Sequence, residues 1–232
     1  MKGHQGKDLQ VLYEDNHLIA VNKSASELSQ GDKTGDESLD EKIKKYITVR
    51  YNKPGEAFLG VVHRLDRPVS GVVLYARTSK ALSRLNSMFQ EREVKKIYWA
   101  ITVERPPEDE ATVEHFIKKN EKQNKSYVYD HEVKGSKKAS LSYKIIGRSE
   151  RYYLLEVELH TGRHHQIRAQ LAAIGCPVKG DLKYGAKKSN DDGSICLHAR
   201  SLSFVHPVKK EPVTITAPPP SSIIWKAFIN IK

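Results

Sequence analysis

Asp66 lies between two arginines, Arg64 and Arg67, and just ahead of Pro68, Ser70 and Gly71. Nearby positive charge favours the ionised form of a carboxyl group, and an ionised carboxylate can act as a nucleophile. The same residues also make an ordinary turn, because Asp before a proline-containing segment is a common turn former. Local spacing leaves both readings open. A second concentration of reactive side chains is Arg163, His164, His165 and Gln166, followed by Arg168. The spacing of Ile167, Leu171 and Ile174 predicts a helix over 163–174, with Arg163, His164 and His165 in its opening turn. The helix dipole is positive there and acids are the stabilising choice, so three cationic or protonatable groups suit a bound phosphate or carboxylate. Arg168 falls at the edge of the apolar stripe. A guanidinium cannot shed its charge, so it needs an acidic partner or a bound anion, and a purely structural ion pair meets that need as well as a functional one.

Metal chemistry finds little support in the spacing. Of ten histidines, His160 and His164 are four apart, but a turn containing Gly162 separates them, and the metalloprotease helix pattern is absent. Cys176 and Cys196 have no zinc-finger spacing, and no Gly-rich loop ends in Gly-Lys-Ser/Thr. The expectation is no metal and no cofactor. Two cysteines are also too few for a disulfide framework, which fits a reducing cytoplasm.

The positive charge of the chain, +11 from 39 Lys and Arg against 28 Asp and Glu, points to a polyanionic partner. Seven lysines, from Lys118 to Lys138, crowd a segment over 104–138 that reads as an exposed basic excursion, a projecting hairpin with strands near 113–117 and 126–130. A solvated face and an RNA contact both account for it. At 232 residues and 38% hydrophobic the chain can bury a core, which excludes general disorder. No apolar run reaches membrane-spanning length, so a soluble protein with no membrane partner is expected.

These residues must be positioned by a mixture of short strands and few helices. A hairpin is predicted from 11–13 and 18–21, a helix from 38–47, strands at 59–65 and 72–75, and a helix after Thr78 or Ser79 with Leu82, Leu85, Met88 and Phe89 facing the core. Strands at 97–103, 155–159, 197–205 and 213–217 and a short amphipathic piece at 223–229 complete the reading. Strands mostly follow one another directly, which predicts an α+β fold with a predominantly antiparallel mixed sheet and flanking helices. One domain over 11–232, preceded by an N-terminal extension over 1–10, is expected.

Five ordered stretches carry a resemblance that local physics does not supply. They are His63-Arg64-Leu65-Asp66-Arg67-Pro68-Val69-Ser70-Gly71, Lys96-Ile97-Tyr98, Gly162-Arg163-His164-His165-Gln166-Ile167-Arg168, Gly175 to Asp181 with Tyr184-Gly185, and Leu197-His198-Ala199. Together they resemble the RluA family of pseudouridine synthases over about 11–217, in a short form without an N-terminal S4-like domain. The resemblance implies a cofactor-free isomerase that cuts the N1–C1′ bond of a uridine in rRNA or tRNA, turns the base and rejoins it through C5. It implies that Asp66 is the catalytic carboxylate, that Arg168 pairs with it, and that Tyr98 packs on the target base with its hydroxyl near the C5 proton. Arg64 would fill the gap left by the extruded nucleotide and Leu197 would line the pocket. Arg163, His164 and His165, with Gln166 beside them, are candidates for holding substrate, the first three by charge. Val69 and His164 stand where the family usually has threonine. The alternatives are an inactive RNA-binding protein of the same fold and, more remotely, a metal-dependent nuclease drawing on the histidines and Asp181. A monomer is expected.

Overall fold

A computed structural model describes residues 9–31 and 35–229. Residues 1–8 of the expected N-terminal extension, and Asp32 in the following loop, lie outside them. The chain forms β1 (Val11–Glu14), β2 (Leu18–Lys23), α1 (Leu39–Arg50), β3 (Gly60–Val61), β4 (Ser70–Ala76), α2 (Ser79–Gln90) and β5 (Lys95–Thr102). It continues with β6 (Glu110–Asn120), β7 (Lys125–Tyr129), β8 (Lys137–Arg148), β9 (Tyr153–Leu159), α3 (Gln166–Ala173), a 3-10 turn (Leu182–Tyr184), β10 (Leu197–Val205), β11 (Pro212–Thr216) and α4 (Ile223–Ile229). All eleven strands belong to one sheet, ordered β1-β2-β4-β10-β5-β9-β8-β6-β7, with β3 paired to β4 and β11 to β10. Every pairing is antiparallel except β4 with β10, so the mixed, largely antiparallel sheet is observed. No helix among the described residues is long and apolar enough to cross a membrane.

Burial on both faces explains the central strands. In β2 and β4, Ile19, Val21, Val73 and Tyr75 pack on one face with Leu39, Ile43 and Ile47 of α1. Leu18, Ala20, Val72 and Leu74 pack on the other with Ala81, Leu85 and Met88 of α2. A strand covered on both sides reads as a continuous apolar run, as 72–75 does. The helices start on local signals. Ser38 and Glu41 form a capping box for α1, and the Thr78 side chain accepts from the Ala81 N–H at the start of α2.

The parallel pairing matters most for the site, because it joins chain positions more than a hundred residues apart. Gly71 sits opposite Ala199 at φ +118, and a Cβ there would stand 2.3 Å from the Ala199 carbonyl oxygen. Only glycine allows that approach and that backbone angle together. The contact fixes the end of the Asp66 loop against the start of β10.

Three sequence expectations change. The strand expected over 59–65 is only Gly60–Val61. Beyond it the Leu74 N–H donates to His63 Nε2 at 3.0 Å, so an imidazole takes the rung that a backbone carbonyl would have filled. The hairpin expected within 104–138 is present as β6 and β7, but it is built into the main sheet rather than standing apart from it. β6 pairs with β8, a strand absent from the sequence reading, from Glu110 to Ile117, and β7 adds the outer edge of the main sheet. Six of the segment's seven lysines are exposed, on β6, on β8 and in the turns, while Lys125 on the edge strand β7 is half-buried. The helix expected from 163 begins at Gln166, with the consequences described below.

Buried imidazoles make the fold acid-sensitive. His198 is fully buried, and its Nε2–H donates to the Ala217 carbonyl while Nδ1 takes the Ser70 hydroxyl. Burial lowers the pKa of both His63 and His198 to about 4. Folded values below the free value of about 6.5 mean that the stabilisation is complete above pH 6.5 and is lost as the pH falls from there towards 4. Thermal melts recorded from pH 7 to pH 4 are expected to fall steadily through that window. Substituting Gln at His198 is expected to flatten the slope.

Candidate active site

Asp66 lies on the loop between β3 and β4, closed by a Val69 N–H to Asp66 carbonyl bond of 3.0 Å. A buried lysine underpins this loop. Lys23, with no exposed surface, donates Nζ to the carbonyls of Ser24, Arg67 and Val69 at 2.9, 3.1 and 2.7 Å. Burial lowers its pKa to about 8, and two of its three acceptors, Arg67 and Val69, follow the carboxylate-bearing residue on its loop. Nothing in the local sequence singles out Lys23, since those two partners lie 44 and 46 positions away. Arg67 points elsewhere: its Nε donates to the Ser26 carbonyl and its Nη2 to Asp36. The cation beside Asp66 is not a sequence neighbour.

That cation is Arg168. Its Nη1 donates to Asp66 Oδ2 at 2.9 Å across 102 positions of chain. The guanidinium is 6% exposed, and its other edge makes a two-pronged pair with Asp181, Nε to Oδ2 at 2.6 Å and Nη2 to Oδ1 at 2.9 Å. One arginine therefore bridges two carboxylates, Asp181 almost wholly buried and Asp66 30% exposed. The structural ion pair and the site ion pair are both present, on opposite edges of the same group. Tyr184 packs beside this group, its ring centre 5.1 Å from Cζ.

His165 reaches the same carboxylate oxygen, with Nε2 3.4 Å from Asp66 Oδ2. Its tautomer follows from its other side. The Ser126 backbone N–H donates to the Tyr184 hydroxyl at 2.8 Å, which leaves that hydroxyl to donate to His165 Nδ1 at 2.9 Å. The ring proton is then on Nε2, facing Asp66. Burial lowers the His165 pKa to about 3, in spite of the opposing Asp66 charge, so the ring is neutral. Asp66 Oδ1 has no partner among the described residues. One oxygen is anchored and the other is free.

The expectation for 163–165 needs correction. These residues form the turn before α3, with His165 at φ 53, and so His164 does not share a helical face with Arg168. Gln166 is committed to that turn: its Oε1 accepts from the Thr161 hydroxyl and the Arg163 N–H, and its Nε2 donates to the Ser140 carbonyl. A buried amide satisfying two turn donors explains why the helix starts there rather than at 163. His164 stacks on His165 at 3.7 Å, and its Nδ1 lies 2.9 Å from the Ser126 hydroxyl. Burial lowers its pKa also. Neither imidazole supplies the positive charge that a phosphate holder requires. Arg163 lines the cleft and donates Nε to the Lys138 carbonyl.

Around Asp66 opens a cleft of about 1130 Å³, above the usual range for a small-molecule pocket. Tyr98 of β5 and Leu197 of β10 form its apolar floor, and Arg64 is exposed on its rim. Burial, and then the Asp66 charge, raise the Tyr98 pKa, so the phenol keeps its proton. Among the described residues eight lysines and arginines line the cleft, and Asp66 is the only acid that does. A single carboxylate in a basic, polymer-sized groove suits chemistry on a polyanion.

Comparison with known proteins agrees with this geometry. The profile of the RNA pseudouridylate synthase family matches residues 17–173. The chain is 31% identical over 221 residues to an uncharacterized RNA pseudouridine synthase of Synechocystis sp., covering 94% of this chain and 67% of that protein. It is 30% identical over 228 residues to the tRNA pseudouridine synthase C of Vibrio parahaemolyticus, covering 90% of each. It is 37% identical over 179 residues to the ribosomal large subunit pseudouridine synthase C of Rickettsia prowazekii, of whose length the match takes in 57%. The fold matches that of human RNA pseudouridylate synthase domain containing 4, at a TM-score of 0.79 and 22% identity over 93% of this chain and 90% of that one. An acid and an arginine brought together from distant motifs, in a sheet of this topology and with these relatives, place the chain in the RNA pseudouridylate synthase family, and it is an isomerase of that class.

Proposed function

We propose that this cleft converts uridine to pseudouridine in ribosomal or transfer RNA, with Asp66 as the reacting carboxylate. The observation that carries the proposal is the Asp66–Arg168 pair, 2.9 Å long, with Asp66 the only acid among the described residues lining a basic cleft. The relatives named for ribosomal and transfer RNA support those two substrate classes.

The chemistry requires the C1′–N1 bond to break, a C1′–C5 bond to form, the C5 proton to leave and N1 to gain one. No electrons are exchanged with an outside group, and the anchored carboxylate is the group suited to begin it. Arg168 and His165 both restrain Oδ2, which presents Oδ1 either as nucleophile or as base toward the sugar. His165 is thus a positioning residue. The buried Tyr98 offers an aromatic face to a detached uracil. Its protonated phenol serves as a hydrogen-bond donor, and a deprotonated base at C5 must come from elsewhere. Arg64, free on the rim, is placed to occupy the space of a nucleotide turned out of its stack.

The test is release of tritium from RNA labelled at C5 of uridine, in the presence of EDTA. Release without strand cleavage is expected, and pseudouridine should appear in the digested product. RNA binding with no release favours the inactive binder, and cleavage that EDTA abolishes favours the nuclease.

A further inference from the structure

We propose that Lys96 is the centre of a phosphate subsite that grips the RNA backbone one step away from the target nucleotide; this rests on the reading of the cleft as an RNA site. Lys96 is 8% exposed, yet its ammonium has no hydrogen-bond or ion-pair partner among the described residues. A buried charge without a partner is costly, and the contrast with Lys23, saturated by three carbonyls, is direct. Lys96 instead lines the cleft. It precedes Tyr98 by two residues on β5, so the two side chains share a side of the strand about 6.6 Å apart along it. That separation places Lys96 beside the nucleotide next to the one over Tyr98.

The surroundings complete the subsite. Arg92, held at φ 63 in the turn between α2 and β5, is close enough for its charge to act on Lys96, Arg64 lines the same cleft, and Asp66 is the only acid among the described residues that lines it. Asn86 adds an amide, and His63 stacks on Phe89 at 5.0 Å as an aromatic wall. Two or three cations around an apolar wall are suited to a phosphodiester flanked by a base. Burial, and then repulsion from Arg92, lower the Lys96 pKa, and a bound phosphate would oppose that shift.

The probe is a fluorescein-labelled, uridine-rich single-stranded RNA of about 12 nucleotides, with binding followed by anisotropy over a salt series. Lys96→Met is expected to weaken binding about tenfold at low salt and to make the plot of log K against log salt shallower by about 0.7, the value of one phosphate contact on a single strand. Its melting temperature without RNA should hold or rise, because an unpaired buried charge is gone. Lys96→Arg should restore most of the binding, while Lys80→Met, an exposed change on α2 outside the cleft, should leave the slope as it is. An unchanged slope in Lys96→Met overturns the proposal. So does binding lost together with melting temperature and not rescued by arginine, which assigns Lys96 to the fold. Inorganic phosphate displacing the RNA at matched ionic strength also overturns it, in favour of a free-phosphate site. The readout is binding rather than turnover: absence of tritium release removes the isomerase reading and leaves the Lys96 result standing, and the reverse combination does the opposite.

Discussion

Asp66→Asn is expected to lower tritium release by at least about 10⁴-fold while leaving RNA binding equal or tighter. The size of the loss follows from the role: a group that reacts covalently or abstracts the initiating proton has no substitute within reach, and such residues typically cost this much or more when removed. Asn keeps the shape of Asp and can still accept from Arg168 Nη1, so the loop held by Lys23 should stay in place. The sign of the binding change separates chemistry from recognition. Among the described residues Asp66 is the only acid in a cleft lined by eight cations, and removing it removes a repulsion that an incoming phosphate backbone meets. A variant that loses activity and affinity together would point to a damaged cleft. Retained activity would mean that the reacting group is another residue.

Much of this site is legible in the sequence because its members carry local contradictions. Arg168 beside a core stripe demands an anion, and Asp66 amid arginines offers one; each requires a partner that its own neighbourhood does not provide. What the sequence hides is the number of partners. Asp181 takes two of the three bonds that Arg168 makes to carboxylates, but its backbone setting near a short 3-10 turn looks like any loop acid. Lys23 is hidden for the same reason, since a lysine at the end of a strand is ordinary until a distant loop folds over it. His165 reads as a charged helix-opening residue because its neutrality depends on burial and on a hydroxyl from Tyr184. α3 starts at Gln166 because 161–165 form a turn whose Thr161 hydroxyl and Arg163 N–H bind the Gln166 side chain, an arrangement that helix-opening signals in the sequence do not show. The sheet edge at β6 and β7 reads as an excursion because its lysine-rich surface masks the inward Val113 and Ile117; strand partners, here β8, are non-local.

The double role of Arg168 leads to an expected result that separates stability from catalysis. Arg168→Met alone leaves Asp181 buried without its counter-charge, and breaking a buried pair from one side costs about 3–5 kcal/mol. Arg168→Met combined with Asp181→Leu removes both charges and replaces them with apolar groups of similar bulk. Such replacements are often neutral or stabilising, so the double variant should regain most of the lost stability in chemical or thermal unfolding. Activity should not follow. In both variants Asp66 loses the charged bond that orients Oδ2, and His165 alone, neutral and 3.4 Å away, cannot replace it; tritium release should remain at least about 10²-fold below wild type. Recovery of activity along with stability would show that Arg168 serves only to hold α3 to the Asp181 segment. Failure to recover stability would instead show that the bridge to Asp66 contributes to the fold as much as the bond to Asp181, because the surviving difference between the double variant and wild type is the uncompensated Asp66 carboxylate.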